Sequence, residues 1–230
     1  NHTIRKITSA GVVTTLAGTA GSSGSTDDTG ASARFDYPAG VAVDGSGNVY
    51  VADYNNHTIR KITSEGVVTT LAGTAGSSGS TNGTGSLARF NAPYGVAVDG
   101  SGMVYVADTS NHTIRKITSA GDVTTLAGTA VTTGSDNGTG EAARFNYPAG
   151  VAVDGSGNVY VADYNNHTIR KITSAGVVTT LAGTAGSSGS TNATGSLARF
   201  NSPSRVAVDG SGNVYVADFD NHTIRKITSE

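Results

Sequence analysis

Five histidines recur at one spacing along the chain: His2, His57, His112, His167 and His222, each 55 residues beyond the last. Histidine suits metal ligation and proton transfer near neutral pH. Each of these stands alone, with no second His, Cys or Glu at ligand spacing, so the pattern does not encode a zinc-type site. The expected role is structural, with His57 meeting the Asp53 side chain or nearby backbone across a turn. Asp44, Asp99, Asp154 and Asp209 form a second repeated set. A ring of carboxylates suits a hard cation with oxygen ligands, but each of these also opens an Asp-Gly dipeptide, where turn stabilisation is the stronger expectation. Gly83-Thr84-Gly85-Ser86-Leu87-Ala88 matches a dinucleotide fingerprint in letters only, because no buried strand feeds it and no long helix follows. No Gly-x-Ser-x-Gly elbow is present. No catalytic residue, metal or cofactor is therefore expected.

The histidines belong to a heptad, Asn56-His57-Thr58-Ile59-Arg60-Lys61-Ile62, which stands unchanged at Asn1, Asn56, Asn111, Asn166 and Asn221. The chain divides into four 55-residue repeats, 1–55, 56–110, 111–165 and 166–220, and a partial fifth, 221–230. A long fixed period signals a solenoid, a propeller or an array. Within the repeat from Asn56, four runs read as strands: His57–Thr63, Val67–Leu71, Val96–Asp99 and Val104–Asp108. A long Gly/Ser/Asn/Thr stretch from Ala72 to Pro93 separates the second and third. Inside it, Gly85–Phe90 is expected to form about one helical turn that pins the loop through Leu87 and Phe90. The Val-Ala-Val and Val-Tyr-Val-Ala runs are apolar at successive positions, so both of their faces are covered. A propeller blade between two neighbours supplies that cover, whereas a two-sheet sandwich would force alternation. The expected fold is all-β: one domain over 1–230, a propeller of four-stranded antiparallel blades with about four blades per chain, alone or as part of a larger ring. Val-Ala-Val is innermost, followed by Val-Tyr-Val-Ala-Asp, the heptad strand and Val-Val-Thr-Thr-Leu.

One motif string carries a resemblance: Phe90, Pro93-x-Gly95-Val96-Ala97-Val98-Asp99, Gly102-x-Val104-Tyr105-Val106-Ala107-Asp108 and Asn111-His112-x-Ile114-Arg115-Lys116-Ile117. It resembles the NHL repeat, the blade unit of NHL β-propellers, over essentially the whole chain. Thr follows Asn-His where the family's name has Leu. The resemblance implies rings that are most often six-bladed, and four repeats do not make six. It also admits related lyases and lactonases, but their metal-binding His and carboxylate sets have no counterpart that can be placed here. The duplicated heptad strand at 221–230 leaves three arrangements: a segment of a longer array, chains that complement each other's blades, or a four-bladed ring with one frayed end. Eight blades pooled from two chains is one natural closure. The absence of an initiator Met at Asn1 fits a processed, trimmed or partial chain.

The copies differ in few places. Around the proline the residues are Tyr37/Ala39, Ala92/Tyr94, Tyr147/Ala149 and Ser202/Ser204, and Gly40, Gly95 and Gly150 give way to Arg205. Between the second and third strands stand Tyr54-Asn55, Thr109-Ser110, Tyr164-Asn165 and Phe219-Asp220. In a four-stranded meander these loops share one face. Tyr and Arg are types that anchor binding surfaces, so Tyr37, Tyr54, Tyr94, Tyr147, Tyr164, Arg205 and Phe219 are the candidate binding residues.

Composition narrows the rest. The formal net charge of −2 gives no basis for attraction to nucleic acid or an acidic membrane surface. No long apolar run predicts membrane insertion, and no signal-peptide pattern opens the sequence. Cysteine is absent, which removes disulfides and thiol chemistry. The compartment stays open, with an extracellular or cell-surface setting favoured. Of the Asn-x-Thr sequons, Asn82, Asn137 and Asn192 in the long loops are the more accessible acceptors if the source glycosylates. Four near-equal copies give a symmetric ring instead of an acid facing a base, which argues against an enzyme. The expected function is a binding or structural scaffold for a protein, peptide or glycan, with a ligand-free self-assembling propeller as the alternative.

Overall fold

In the computed structural model, which describes residues 1–229, the chain is a series of small antiparallel sheets. The first has two strands, β1 (Thr3–Ile7) and β2 (Val13–Gly18). The first whole blade contains β3 (Pro38–Val43), β4 (Val49–Asp53), β5 (Thr58–Ile62) and β6 (Val68–Gly73) in that order. The second has a two-residue outer strand, β7 (Gly83–Thr84), and β8 (Pro93–Val98), β9 (Val104–Asp108), β10 (Thr113–Ile117) and β11 (Asp122–Ala127), with β7 beside β11. The third repeats that plan with β12 (Gly138–Thr139), β13 (Pro148–Val153), β14 (Val159–Asp163), β15 (Thr168–Ile172) and β16 (Val177–Ala182). The last sheet has three strands, β17 (Pro203–Val208), β18 (Val214–Asp218) and β19 (Thr223–Ile227). This is the expected blade order, assembled as an all-β propeller.

The core lies between blades. Tyr105, Ala107, Ile114 and Ala127 on one face of the second blade pack against Phe145, Val151, Val161, Ile172 and Val178 of the third. Doubly covered strands explain the unbroken apolar runs. The inner strands β3, β8, β13 and β17 approach so closely that a Cβ on Gly40 would collide with the Tyr94 carbonyl, and one on Gly95 with the Ala149 carbonyl. A Cβ on Gly150 would come within 2.7 Å of Arg205 Cα. Glycine is required there by backbone proximity.

No comparable packing joins β17 to β3. Val41 and Val43 are 57% and 61% exposed, whereas Val96 and Val151 are 7% exposed. The first and last inner strands are thus joined by the Arg205–Ala39 hydrogen bond instead of by close side-chain packing.

Two local expectations change. The loop does contain a single 3₁₀ turn, Gly85–Leu87, but Leu87 is 70% exposed, and Ala88 and Phe90 are the buried pins. His57 does not meet Asp53. Its Nδ1 accepts from the Ala92 N–H at the entry to the next blade, 3.0 Å away. The Asp-Gly turns match expectation: Asp44 Oδ1 accepts from the Ser46 and Asn48 N–H groups, and Tyr50 donates to Oδ2. Burial works to raise Asp44, but those hydrogen bonds outweigh it and hold the carboxyl low.

Candidate functional site

Each repeat carries a buried lock that sets the loop before the inner strand. In the second blade, Asp108 is fully buried and its Oδ1 accepts from the Asn91 N–H at 2.7 Å. Its Oδ2 accepts from Asn111 Nδ2 and from the Arg115 guanidinium, both at 2.8 Å. Arg115 also donates to the carbonyls of Arg89 and Thr81 and to Asn82 Oδ1, with its guanidinium over the Phe90 ring. Burial pushes Asp108 and Asp163 up to about 6, against the pull of Arg115 and Arg170. The first blade adds an ion pair between Arg60 and Asp27, where later repeats have Asn.

The histidine clamps the next residue of the same loop. Tyr37, Ala92, Tyr147 and Ser202 each precede a proline, yet hold φ between 52° and 56°. That region is uncommon for non-glycine residues and is disfavoured before proline. In each case the strained residue's N–H donates to a histidine Nδ1 of the preceding sheet, 35 residues earlier in the chain: His2, His57, His112 and His167, at 3.0–3.2 Å. The imidazole must be neutral there, with its proton on Nε2. Burial lowers the pKa of His57 and His112, which favours that state. Asp and His together fix two consecutive N–H groups, so the following side chains are aimed by the scaffold.

They are aimed into one cavity of about 790 Å³. All seven candidate binding residues line it: Tyr37, Tyr54, Tyr94, Tyr147, Tyr164, Arg205 and Phe219. Tyr37 and Tyr54 meet with ring centroids 5.7 Å apart, and Tyr54 meets Tyr94 edge-on at 6.0 Å. Arg205 lies 3.9 Å over the Tyr94 ring and donates to the carbonyls of Ser204 and Ala39, both at 3.0 Å. It thus bridges the last inner strand to the first. His112 backs the Tyr147 ring at 4.6 Å.

The lining also includes Asn55, Asn165, Thr109, Ser204 and Ala149, which the candidate set omits. They occupy the same non-repeating positions, so the signal was present but fell outside the aromatic and arginine types. No Asp, Glu or His lines the cavity. Among the described residues, no group of three or more His, Cys, Asp or Glu could hold a metal, and no helix is long and apolar enough to cross a membrane. Asn56, Asn111 and Asn166 of the heptad sequons are buried with Nδ2 bonded to Asp and to a loop carbonyl, whereas Asn82, Asn137 and Asn192 are exposed.

The NHL repeat model matches residues 35–62, 90–117, 145–172 and 200–227. The chain is 32% identical over 151 residues to human NHL repeat-containing protein 2, covering 60% of this chain and 21% of that protein. It therefore spans about a fifth of the length of these curated relatives. Among solved structures, an auxiliary nutrient binding protein from Bacteroides ovatus superposes with a TM-score of 0.70 at 22% identity, over 98% of this chain and 58% of that one. Virginiamycin B lyase from Staphylococcus aureus superposes with a TM-score of 0.62 at 16% identity, over 99% and 60%. Likeness at these identities concerns the fold, and its neighbours include both binding proteins and an enzyme.

Proposed function

Because this chain belongs to the NHL-repeat β-propeller family, we propose that it serves as a non-enzymatic binding propeller, taking a protein, peptide or glycan in the aromatic cavity between its variable loops. The observation that carries this reading is convergence: the residues that break the repeat are the residues around one cavity. A concave site rich in aromatic rings with a few polar groups is the usual form of a ligand pocket. Its one charged side chain, Arg205, is engaged with Tyr94 and two carbonyls. The site therefore suits a neutral ligand with flat apolar faces, such as sugar rings or aromatic side chains, with Asn55 and Asn165 as orienting partners. The lining carries no Asp, Glu or His to act as a general acid or base near neutral pH, which supports the non-enzymatic reading.

Glycan and peptide arrays, followed by calorimetric titration of the best ligand, test this. Replacing Tyr37, Tyr147, Tyr164 and Phe219 together by Ala should weaken binding by at least about thirtyfold, the scale of ~2 kcal/mol set by a hot-spot cluster. The circular dichroism melt should persist. Unchanged affinity in that variant would sink the proposal.

A further inference from the structure

Arg60, Arg115, Arg170 and Arg225 each hold a loop side chain from 33 residues earlier in the chain. At Asn82 and Asn137 the side-chain Oδ1 accepts from Nη2 of Arg115 and Arg170, at 2.7 and 2.9 Å. The hydroxyls of Thr125 and Thr180 donate to the same two oxygens, each at 3.3 Å. In the first repeat Asp27 takes this place. Its Oδ1 pairs with Arg60 at 2.5 Å, and its Oδ2 accepts from the Thr70 N–H at 2.9 Å. An asparagine has Nδ2 at that second position, a donor that cannot accept from the equivalent N–H of Thr125 or Thr180. The surroundings are therefore fully matched by a carboxylate, and with an amide they lack one acceptor.

The sequence supplies the means of converting one into the other. Asn82 and Asn137 are each followed by glycine, and Asn-Gly occurs nowhere else in the chain. At Asn192, which meets Arg225 in the same way, Ala193 follows. A glycine nitrogen, with no Cβ beside it, swings readily onto the side-chain carbonyl of the residue before it. Both asparagines are exposed. Gly83 and Gly138 sit in β7 and β12, outermost strands of two residues each, so freeing their nitrogens sacrifices little pairing.

We propose that Asn82 and Asn137 are self-modifying sites that convert to aspartate in the folded protein. The Gly83 nitrogen loses its proton to solvent base and attacks Asn82 Cγ. The C=O bond opens to a tetrahedral oxyanion at Oδ1, where Arg115 and the Thr125 hydroxyl already donate and stabilise the developing charge. The oxyanion collapses, the Cγ–Nδ2 bond breaks, and ammonia leaves after taking a proton from solvent. One water then adds to the five-membered imide at Cγ and breaks the new N–Cγ bond, which restores the Gly83 amide and leaves a carboxylate. The net change is one water consumed and one ammonia released, with no change of oxidation state. Gly138, Arg170 and Thr180 act in the same way on Asn137. Water attack at the main-chain carbonyl gives isoaspartate instead, which routes the backbone through the side-chain methylene. The fold favours aspartate, because that product gains the arginine pair and the threonine N–H bond seen at Asp27. Each conversion adds one negative charge to the formal −2.

Neither asparagine lines the aromatic cavity, so the test is independent of the binding proposal. Freshly purified chain is kept folded in mildly alkaline buffer, beside a sample unfolded in urea, and both are followed by peptide mass mapping. The Asn82 and Asn137 peptides of the folded chain should each gain one mass unit, at least as fast as in urea. Asn192 should convert about tenfold more slowly, the equivalent of a barrier ~1.4 kcal/mol higher. Gly83→Ala, which copies the Asn192-Ala193 pair, should slow Asn82 by the same factor and leave Asn137 unchanged. Any isomerisation at the Asp-Gly turns leaves the mass unchanged, so the gain reports on asparagine alone. The double variant Asn82→Asp, Asn137→Asp should melt at a higher temperature than the wild type. A folded chain that converts more slowly than the unfolded one or not at all, an Asn192 as fast as Asn82, or a double variant that melts no higher would each overturn the proposal.

Discussion

Replacing Arg115 by Met removes the cation from a fully buried Asp108 while keeping most of the side-chain volume. Asp108 would retain the Asn91 N–H and Asn111 Nδ2 but lose the one cation paired with it among the described residues. Breaking a buried pair from one side costs about 3–5 kcal/mol, because the remaining charge stays desolvated. Arg115 Nε has no partner among the described residues, which places the expected cost toward the lower end, ~3 kcal/mol at pH 7. The pH dependence has a definite sign. With Arg115 present, burial already pushes Asp108 up to about 6, and removing the guanidinium raises it further. A carboxyl whose folded pKa exceeds its unfolded value takes up a proton on folding, so its penalty shrinks as pH falls through the folded pKa. The variant should recover roughly 1.4 kcal/mol relative to wild type for each pKa unit added, between pH 7 and 5. Arg225 makes the equivalent contacts but is 12% exposed at the open end, so Arg225→Met should cost less. Urea unfolding followed by circular dichroism at both pH values measures all three. A cost below about 1 kcal/mol at pH 7 would contradict the reasoning, as would a cost that grows on acidification.

The histidine clamp predicts a second pH effect. Burial lowers the His112 pKa, so the unfolded chain binds that proton first and stability falls as pH drops below 6.5. His112→Asn keeps an acceptor for the Tyr147 N–H and tolerates φ of 58°, so it should fold normally at pH 7.5 and melt with a shallower acid slope; parallel melting curves against pH would refute the clamp. Gly95→Ala drives a Cβ into the Ala149 backbone carbonyl, which cannot rotate aside. It should cost about 3 kcal/mol, the upper part of the overpacking range, and a neutral melting temperature would show that the inner strands are not closely packed.

Blade count per chain, strand order and inner placement of Val-Ala-Val were legible because each rests on periodicity and on which residues have cover on both faces. Convergence of Tyr37, Tyr54, Tyr94, Tyr147, Tyr164, Arg205 and Phe219 followed from meander geometry alone. The partners of His57 and Asp53 were not legible. Both depend on contacts made through space by a residue in αL conformation before a proline and by an arginine buried in a strand. Proximity in sequence suggested the His57–Asp53 pair, but the left-handed backbone of His57, just ahead of β5, turns the imidazole toward the next blade. A clue to the true partner was available: a charged pair seven residues apart, Asp53 and Arg60, inside runs otherwise too apolar to leave either solvated.

The clamp also bears on how a near-identical array can bind something specific. Asp108 and His57 hold the N–H groups of Asn91 and Ala92, and neither bond involves the side chain being presented. The strained backbone at Tyr37, Ala92, Tyr147 and Ser202 is therefore the same whether the residue is Tyr, Ala or Ser. Strain of about 1–3 kcal/mol at each position persists only where surroundings over-determine it. Here the heptad histidine of the preceding sheet and the Asp of the blade's own second strand supply that constraint. Geometry is thus inherited from the invariant residues, and chemistry is free to change at the cavity without a cost to the blade. A converse follows for Arg205: it stands within an inner strand where the others carry glycine, so it acts on the cavity and on the joining of β17 to β3 together. Variation at the pre-proline position should change ligand preference alone, and variation at residue 205 should change ligand preference and thermal stability in parallel, because it also removes the Arg205–Ala39 bond.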